Sequence, residues 1–265
     1  MLLSSVIIVL REVIEAALLF SVLTALSKLM GFKLKWISVF LIFGIAGSFL
    51  YALNIHTVSD WFDGVGQEVV NAFIQINIYL MLLLYLMILL RYVYINKVSS
   101  YLLIFVLFFI STLAITREGS EIILYFYSVT SHENHISAVF VGMLIGASIG
   151  ISLGFLFYYV LVGIDQKLAL IVGFILLLLI GAGMISQASL LLIQADWLEA
   201  QLPLWNMSSY LSEKSITGQL LYALIGYEAT PTAIQFGLYL LSLFIPILLY
   251  FAIKIKYTKK SIQEA

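Results

Sequence analysis

The sequence has no cysteine and few charged residues, and each absence excludes a class of protein or site. Without cysteine the chain forms no disulfide, thiolate metal site, cysteine-linked haem or iron–sulfur cluster, so any metal must be bound by oxygen or imidazole. Charged residues occupy 10% of the 265 positions, whereas they make up roughly a quarter of a soluble domain. The net charge of −1 offers no basic surface for phosphate groups, so nucleic acid is not an expected partner.

Apolar residues make up 63% of the chain, and the mean hydropathy is +1.12. A water-soluble fold cannot bury that much apolar surface, whereas a bilayer solvates it and needs about 20 apolar residues per crossing helix. The first run starts at Met1 without a basic segment and contains charges, so we expect a permanent helix and not a cleaved signal. We therefore predict an all-α, polytopic membrane protein with seven transmembrane helices, near 2–27, 36–55, 68–92, 99–129, 136–163, 168–194 and 232–253.

One long connection separates the last two predicted helices. It contains two of the three prolines, Pro203 and Pro231, together with Trp, Ser, Asp and Glu. This composition favours short amphipathic or re-entrant segments over a separate domain. We therefore expect a single transmembrane domain over 1–265, with an outer connection at 196–231 and a last helix at 232–254.

Lysine and arginine are distributed unequally between the two sets of connections. One set, with the C-terminal tail, carries ten basic residues, and the other carries only Lys214. Because basic residues accumulate in cytoplasmic segments, this asymmetry predicts an outside N-terminus and a cytoplasmic C-terminus. The ten are Lys28, Lys33, Lys35, Arg91, Lys97, Lys167, Lys254, Lys256, Lys259 and Lys260.

A charged motif, Arg-Glu-x-x-Glu, occurs twice inside the apolar runs. It occupies Arg11–Glu15 in the first predicted helix and Arg117–Glu121 in the fourth. Because three helices, an odd number, separate the copies, the two copies run in opposite directions across the membrane. This predicts an inverted 3+3 repeat, about 2–95 and about 99–195, followed by one extra helix. Such repeats are common in secondary transporters, which bind substrate near the midplane, and both motifs lie near that depth at about 1.5 Å per residue.

Each motif presents two carboxylates and one guanidinium on a single helix face, because residues three and four positions apart are neighbours. Each charge at the centre of a membrane helix costs about 2.5–3.5 kcal/mol on insertion scales, so the six must face one another, water or an ion. Two arginines and four glutamates leave a formal −2. A multivalent cation would offset it, and hard cations such as Fe³⁺, Mg²⁺ and Mn²⁺ prefer carboxylate oxygen. The predicted metal ligands are Glu12, Glu15, Glu118 and Glu121, supported by Arg11 and Arg117.

Three other interpretations of the motifs stay open from the residues alone. Each motif can be an intrahelical salt bridge, although a salt bridge needs one glutamate and not two. The carboxylates can relay protons, as in a proton-coupled transporter of another divalent cation. They can also act as acid and base in an intramembrane enzyme, although no nucleophile or phosphate-binding loop accompanies them.

With these residues, the sequence resembles the high-affinity iron permease family, the Ftr-type permeases of fungi and their bacterial EfeU-like relatives. The signature of that family is R-E-x-x-E in the first and fourth spans, and both motifs match it position for position. The resemblance covers essentially the whole chain. It includes the late connection, where Trp205-Asn206-x-Ser208 and Gly226-Tyr227-x-x-x-Pro231-Thr232 are similar to the family pattern before the last helix.

The resemblance implies iron import through the inner (cytoplasmic) membrane, usually as Fe³⁺ generated by a partner oxidase. In fungi that partner is a multicopper oxidase. In bacteria it is an extracytoplasmic haem peroxidase acting with a periplasmic iron-binding protein. Because this sequence starts directly at the first apolar run, we expect such partners to be separate polypeptides. Iron is then the transported substrate, no tightly bound cofactor is expected, no enzymatic activity is expected, and homo-oligomerisation stays open.

Polar residues outside the motifs have two interpretations each. At the outer end of the fourth helix, a polar segment can capture metal or form a solvated turn, and it contains His132, Glu133 and His135. Further polar residues in the third and sixth helices can line an ion path or form hydrogen bonds between helices. These are Glu68, Asn71, Gln75 and Gln187.

Glycine recurs at every fourth position from Gly142 to Gly154 in the fifth predicted helix, and the second contains Gly44 and Gly47. Such stripes let helix backbones approach closely. Because the second and fifth helices correspond in the predicted repeat, we expect both stripes to pack within one chain and not across a homodimer.

Overall fold

The computed structural model describes residues 2–95, 99–130 and 136–263, with side chains as far as residue 255. Within these ranges the chain is helical, with one isolated bridge between Pro203 and Thr232 and no strand. The all-α prediction is confirmed, and each predicted apolar run lies in a helix. The helices are α1 (Leu2–Leu29), α2 (Trp36–Leu53), α3 (Ile55–Ser59), a 3-10 helix (Trp61–Gly64), α4 (Gly66–Ile95), α5 (Ser100–Thr130), α6 (Ile136–Gly163), α7 (Gln166–Gln194), α8 (Ile216–Ile225) and α9 (Ala233–Gln263).

Six helices of the described chain are long and apolar enough to cross a membrane: α2, α4, α5, α6, α7 and α9. α1 has 28 residues, which is long enough at about 1.5 Å per residue. It carries Arg11, Glu12 and Glu15 near its middle, however, and it is not one of the six. Whether α1 is a seventh span therefore depends on how these three charges are compensated.

The surface of the helical bundle is apolar, whereas several charged and amide side chains are buried. Ile42 on α2, Leu144 on α6 and Leu248 on α9 are exposed, while Glu118 and Gln75 are buried. A soluble protein avoids both features. Lipid favours this distribution, because exposed apolar side chains contact the hydrocarbon chains and polar groups find partners inside the protein.

Both motif-bearing helices pack closely against a glycine-bearing helix. α1 packs along α6, and α5 packs along α2. A Cβ atom at Gly146 of α6 would lie 2.6 Å from the carbonyl oxygen of Val6. A Cβ atom at Gly44 of α2 would lie 2.6 Å from the Cβ of Ile115. The glycines thus allow close packing inside the chain, as the sequence predicted, and they fix α1 and α5 in place.

The predicted outer connection contains one short helix, α8, which packs against α1 and α7. It ends at Gly226, whose φ of +65° lies in the left-handed region that favours glycine. The backbone of Gly226 lies against α7, because a Cβ at Gly183 would be 2.8 Å from the Cα of Gly226. Tyr239 of α9 donates a hydrogen bond to the carbonyl of Ile225 at 2.8 Å. α8 is therefore held by two neighbouring helices while it faces α1.

Candidate functional site

The two Arg-Glu-x-x-Glu motifs meet where α1 contacts α5. One oxygen from each of Glu12, Glu118 and Glu121 lies within 4.8 Å of the other two. Glu12 and Glu118 are buried, at 4% and 2% exposure. Three carboxylates from two sequence-distant helices therefore converge on one point, which we call the carboxylate cluster.

Two oxygens of the carboxylate cluster lack a hydrogen-bond partner among the described residues: Oε2 of Glu12 and Oε2 of Glu118. A buried polar atom without a partner costs about 1–3 kcal/mol, and more if it is charged. Carboxylates so close together also repel one another, and burial strengthens the repulsion because the local dielectric constant is low. A bound cation would remove both penalties at once.

Arg117 is the internal counter-charge of the carboxylate cluster. Its Nη1 lies 2.5 Å from Oε1 of Glu118 and 3.4 Å from Oε2 of Glu15, and its Nη2 lies 3.4 Å from Oε1 of Glu121. The Arg117 side chain is only 5% exposed. One guanidinium therefore bridges three carboxylates from both motifs.

Arg11, the equivalent residue of the first motif, lies at the edge of the site. Its Nε is 3.4 Å from Oε1 of Glu15 and 3.9 Å from Oε1 of Glu12, and its side chain is 40% exposed. Its Nη2 donates a hydrogen bond to the hydroxyl of Tyr222 on α8 at 3.0 Å. The guanidinium carbon also lies 4.5 Å from the centre of the Tyr222 ring, a cation–π geometry.

Glu15, which the sequence predicts as a ligand with the other three glutamates, is not one of the three carboxylates that form this cluster. One of its oxygens contacts Arg117 and also accepts a hydrogen bond from Nε2 of Gln187 at 3.3 Å. Gln187 in turn accepts a hydrogen bond from Gln75 at 2.5 Å. The predicted polar residues Gln75 and Gln187 therefore link α4 to α7 by a hydrogen bond and contact the motif through Glu15.

A cavity of about 330 Å³ adjoins the carboxylate cluster, and Glu121 is common to both. Two of the predicted path residues, Glu68 and Asn71, are in its wall, and Asn71 accepts a hydrogen bond from the hydroxyl of Tyr51 at 3.2 Å. The lining residues are Gln67, Glu68, Asn71, Glu121, Leu124, Leu191 and Gln194. This polar cavity gives an ion in water a way to reach Glu121.

A second cavity, of about 390 Å³, is lined by residues of α4, α5 and the 3-10 helix, among them Trp61, Phe73 and Phe109. Its lining contains no acidic, basic or histidine side chain. Despite its larger volume we assign it no role in cation binding, because an apolar groove offers no ligands to a hard cation.

Two residues near the site have no counterpart in the sequence prediction. Tyr222 lies in an apolar segment, where nothing in the pattern indicates a contact with Arg11. Glu228 follows α8, and its carboxylate accepts hydrogen bonds from Ser186 at 3.1 Å and from Gln235 at 2.7 Å. Burial raises the pKa of Glu228 to about 7, although the hydrogen bond from Ser186 opposes the shift.

The predicted outer metal-capture residues, His132, Glu133 and His135, lie outside the described residues.

Residues 2–261 match the model of one protein family, the iron permease FTR1 family. The matched range includes both motifs, the polar cavity and α8. The comparison with curated proteins found no match, and neither did the comparison with solved structures. Since the family match extends over nearly the whole chain, this protein belongs to the iron permease FTR1 family.

Proposed function

We propose that the chain imports iron as Fe³⁺ across the cytoplasmic membrane, with Glu12, Glu118 and Glu121 as ligands of a central site and Glu15 as the next ligand inward. Family membership supports iron as the transported substrate. One observation carries the ligand assignment: three carboxylate oxygens lie within 4.8 Å of one another, and two of these carboxylates have an oxygen without a hydrogen-bond partner in the described chain. Iron is substrate here, so we propose neither a tightly bound cofactor nor an enzymatic reaction.

The arginines hold the unloaded site together. Arg117 offsets part of the repulsion between Glu118, Glu121 and Glu15, all within 3.4 Å of its nitrogens. A trivalent cation attracts the same oxygens more strongly than a monovalent guanidinium, and it competes with Arg117 for them. Displacement of Arg117 on loading, and its return on release, would keep the site from having a large unpaired negative charge in either state.

In this proposal the four glutamates bind the ion one after another along its path. Glu121 is 30% exposed and lines the polar cavity. Glu12 and Glu118 follow as the buried pair, and Glu15 lies beyond them in contact with Gln187. We propose that iron enters through the cavity past Glu68 and Asn71, exchanges between carboxylates, and leaves past Glu15, Gln187 and Gln75.

We further propose seven spans, with α1 as the seventh, organised as one transmembrane permease domain with an inverted repeat. In this repeat α1 corresponds to α5, α2 to α6, and α4 to α7. The packing supports it: the α1–α6 contact becomes the α5–α2 contact when the halves are exchanged, and the α1–α5 and α4–α7 contacts map onto themselves. The contacts of Arg117 and Gln187 with Glu15 compensate charge in α1, as a buried span requires.

The distribution of basic residues supports an outside N-terminus and a cytoplasmic C-terminus. In that orientation the polar cavity faces the outer side of the cytoplasmic membrane, because it is lined by the start of α4 and the ends of α5 and α7. An oxidase or peroxidase and an iron-binding protein on that side would supply Fe³⁺ to the cavity.

Uptake of radiolabelled iron, in cells that lack other iron importers, tests this proposal. Glu12→Gln and Glu118→Gln remove one ligand charge each and preserve shape, and each is compared with wild type at equal membrane abundance. Glu199→Gln is the matched control, because Glu199 is an exposed residue of the outer connection. We expect a large loss of uptake for the first two and no change for the control. Normal uptake by both ligand variants would falsify the ligand assignment.

A proton-coupled transporter of another divalent cation is the alternative to separate from this proposal. The same cells, loaded with a pH-sensitive dye, report proton flux with and without added iron. Proton uptake driven by Mn²⁺ at full rate, in the absence of iron transport, would replace the proposal with the alternative.

A further inference from the structure

α8 is the element that contacts the candidate site from outside the repeat. It has no equivalent after α4, since α4 and α5 are separated by only a few residues. It contributes Tyr222, which accepts a hydrogen bond from Arg11 and stacks under its guanidinium. The equivalent arginine of the second motif, Arg117, forms ion pairs with three carboxylates.

The position of Tyr222 is set by α7 and α9 and not by Arg11 itself. Gly226, one turn later, has its backbone against Gly183, and Tyr239 binds the carbonyl of Ile225. The start of α8 is capped by Ser215, whose hydroxyl accepts the amide hydrogen of Gly218 at 3.0 Å. Tyr222 is therefore a fixed acceptor that draws Arg11 to the edge of the site.

The location of Arg11 changes the charge that an ion encounters. An Arg11 turned inward lies closer to the glutamates and lowers the net negative charge that an ion encounters at the site. Arg11 is already close enough for such a turn, at 3.9 Å from Glu12. Electrostatic attraction scales with the charge of the ion, so an inward Arg11 weakens the binding of a trivalent cation more than that of a divalent one.

We infer that Tyr222 is a positioning and selectivity-determining residue, which holds Arg11 at the edge of the carboxylate cluster and so favours trivalent over divalent cations. This inference rests on the proposed function, because it concerns the same cation site. Tyr222 touches no ion in it and acts through Arg11 alone. Residues that follow Tyr222 along α8 fix its position relative to α7 and α9. The hydroxyl of Tyr222 in turn fixes the guanidinium of Arg11.

Equilibrium binding of ferric citrate and of Mn²⁺ to the full-length chain in lipid nanodiscs tests the inference. Tyr222→Phe removes the hydroxyl and keeps the ring, and Tyr222→Leu removes both contacts with Arg11. We expect Fe³⁺ affinity to fall about tenfold in the first and further in the second, with a smaller fall for Mn²⁺. Tyr79→Phe is the matched control, since it removes a buried tyrosine hydroxyl bond, to the carbonyl of Ser242 on α9, that does not position α8.

The Arg11→Gln background separates positioning from support of the fold. If Tyr222 acts through Arg11, Tyr222→Phe changes Fe³⁺ affinity less than about twofold when Arg11 is absent, because the two effects are not additive. An equal loss in both backgrounds, or the same loss in Tyr79→Phe, overturns the inference. Unchanged Fe³⁺ and Mn²⁺ affinity in Tyr222→Phe, with iron transport by wild type intact, also overturns it and leaves the proposed function standing. A wild-type chain that neither binds nor transports iron overturns both.

Discussion

The two Arg-Glu-x-x-Glu motifs have the same arginine and glutamates at the same spacing, yet their arginines have different surroundings. Arg117 is buried among Glu15, Glu118 and Glu121, whereas Arg11 is 40% exposed and bound by a tyrosine from the connection after the repeat. Their last glutamates differ in the opposite sense. Glu121 faces a polar cavity, and Glu15 is covered by Arg117 and Gln187.

This difference shows that a duplicated motif fixes residue types and spacing but not the roles of the two copies. The first glutamates, Glu12 and Glu118, keep equivalent roles, because each is buried with one oxygen unpartnered in the described chain. The outer residues of each motif diverge, since they contact parts of the chain that occur once. Each motif therefore has one partly exposed residue, Arg11 in the first and Glu121 in the second, and one covered residue, Glu15 in the first and Arg117 in the second.

Replacing each arginine in turn by a neutral residue should give the largest difference in stability between the two motifs. Arg117→Gln leaves three carboxylates without their shared counter-charge, and we expect it to destabilise the protein by about 3–5 kcal/mol. Arg11→Gln removes a half-exposed partner and should cost about 1 kcal/mol or less. Thermal unfolding in detergent, with membrane abundance, measures both. Equal losses for the two arginines would contradict the asymmetry of the site.

Substitutions at Gly146 of α6 and Gly44 of α2 compare helix packing in the two predicted halves of the chain. A methyl group at Gly146 meets backbone atoms of α1, and one at Gly44 meets the Cβ of Ile115 on α5, whose position the backbone also fixes. We therefore expect Gly146→Ala and Gly44→Ala each to cost about 1–3 kcal/mol. Gly163→Ala serves as the control, because no heavy atom lies within 4 Å of its added methyl group. Melting temperatures should fall for both variants and stay at the wild-type value for the control.

Replacing the last glutamates separates access to the site from passage beyond it. Glu121→Gln weakens capture from the cavity, so KM for iron uptake should rise about tenfold with a smaller change in maximal rate. Glu15→Gln leaves capture intact and should lower the maximal rate instead. Initial rates over a range of iron concentrations distinguish the two. The same kinetic change in both variants would mean that the glutamates act as one unit.

The smallest expected effect on stability is that of Glu228, which follows α8, the helix that contacts Arg11 of the first motif. Burial raises the pKa of Glu228 to about 7 from an ordinary value of 4.5, so the folded state holds its proton more tightly than the unfolded state. Its stabilising contribution is therefore complete below pH 4.5 and is lost as the pH rises through about 7. Glu228→Gln should flatten this decline by a few degrees in melting temperature. A wild-type melting temperature that rises over this pH range relative to the variant would refute the assignment.

Much of the fold was predictable from the sequence, because long apolar runs in a bilayer have few alternatives to helices. The convergence of Glu12 with Glu118 and Glu121 follows from the duplicated motif, which placed both copies at one depth. The separation of Glu15 from the cluster was not predictable. It depends on how far α1 and α5 rotate about their axes, and residue spacing does not fix that rotation.

The role of Tyr222 was also hidden from the sequence. α8 is apolar and short, so its pattern resembles that of many surface or re-entrant helices. What places it is the contact between the backbones of Gly183 and Gly226, two glycines 43 positions apart whose proximity no periodicity indicates. The polar cavity was likewise not predictable, because it forms where α4, α5 and α7 meet. Its lining residues Glu68 and Asn71 could still be recognised in the sequence, since they are polar residues on one face of α4.

The attachment of α8 has a mechanical consequence. Its C-terminal end is packed against α7 through main-chain atoms, while its Tyr222 is bonded to the side chain of Arg11 on α1. A shift of α7 against α1 would therefore lengthen the bond between Arg11 and Tyr222 before it disturbed the end of α8. Such sliding would move the charge of Arg11 and so change the electrical potential at the proposed ion site, without any new contact between ion and helix.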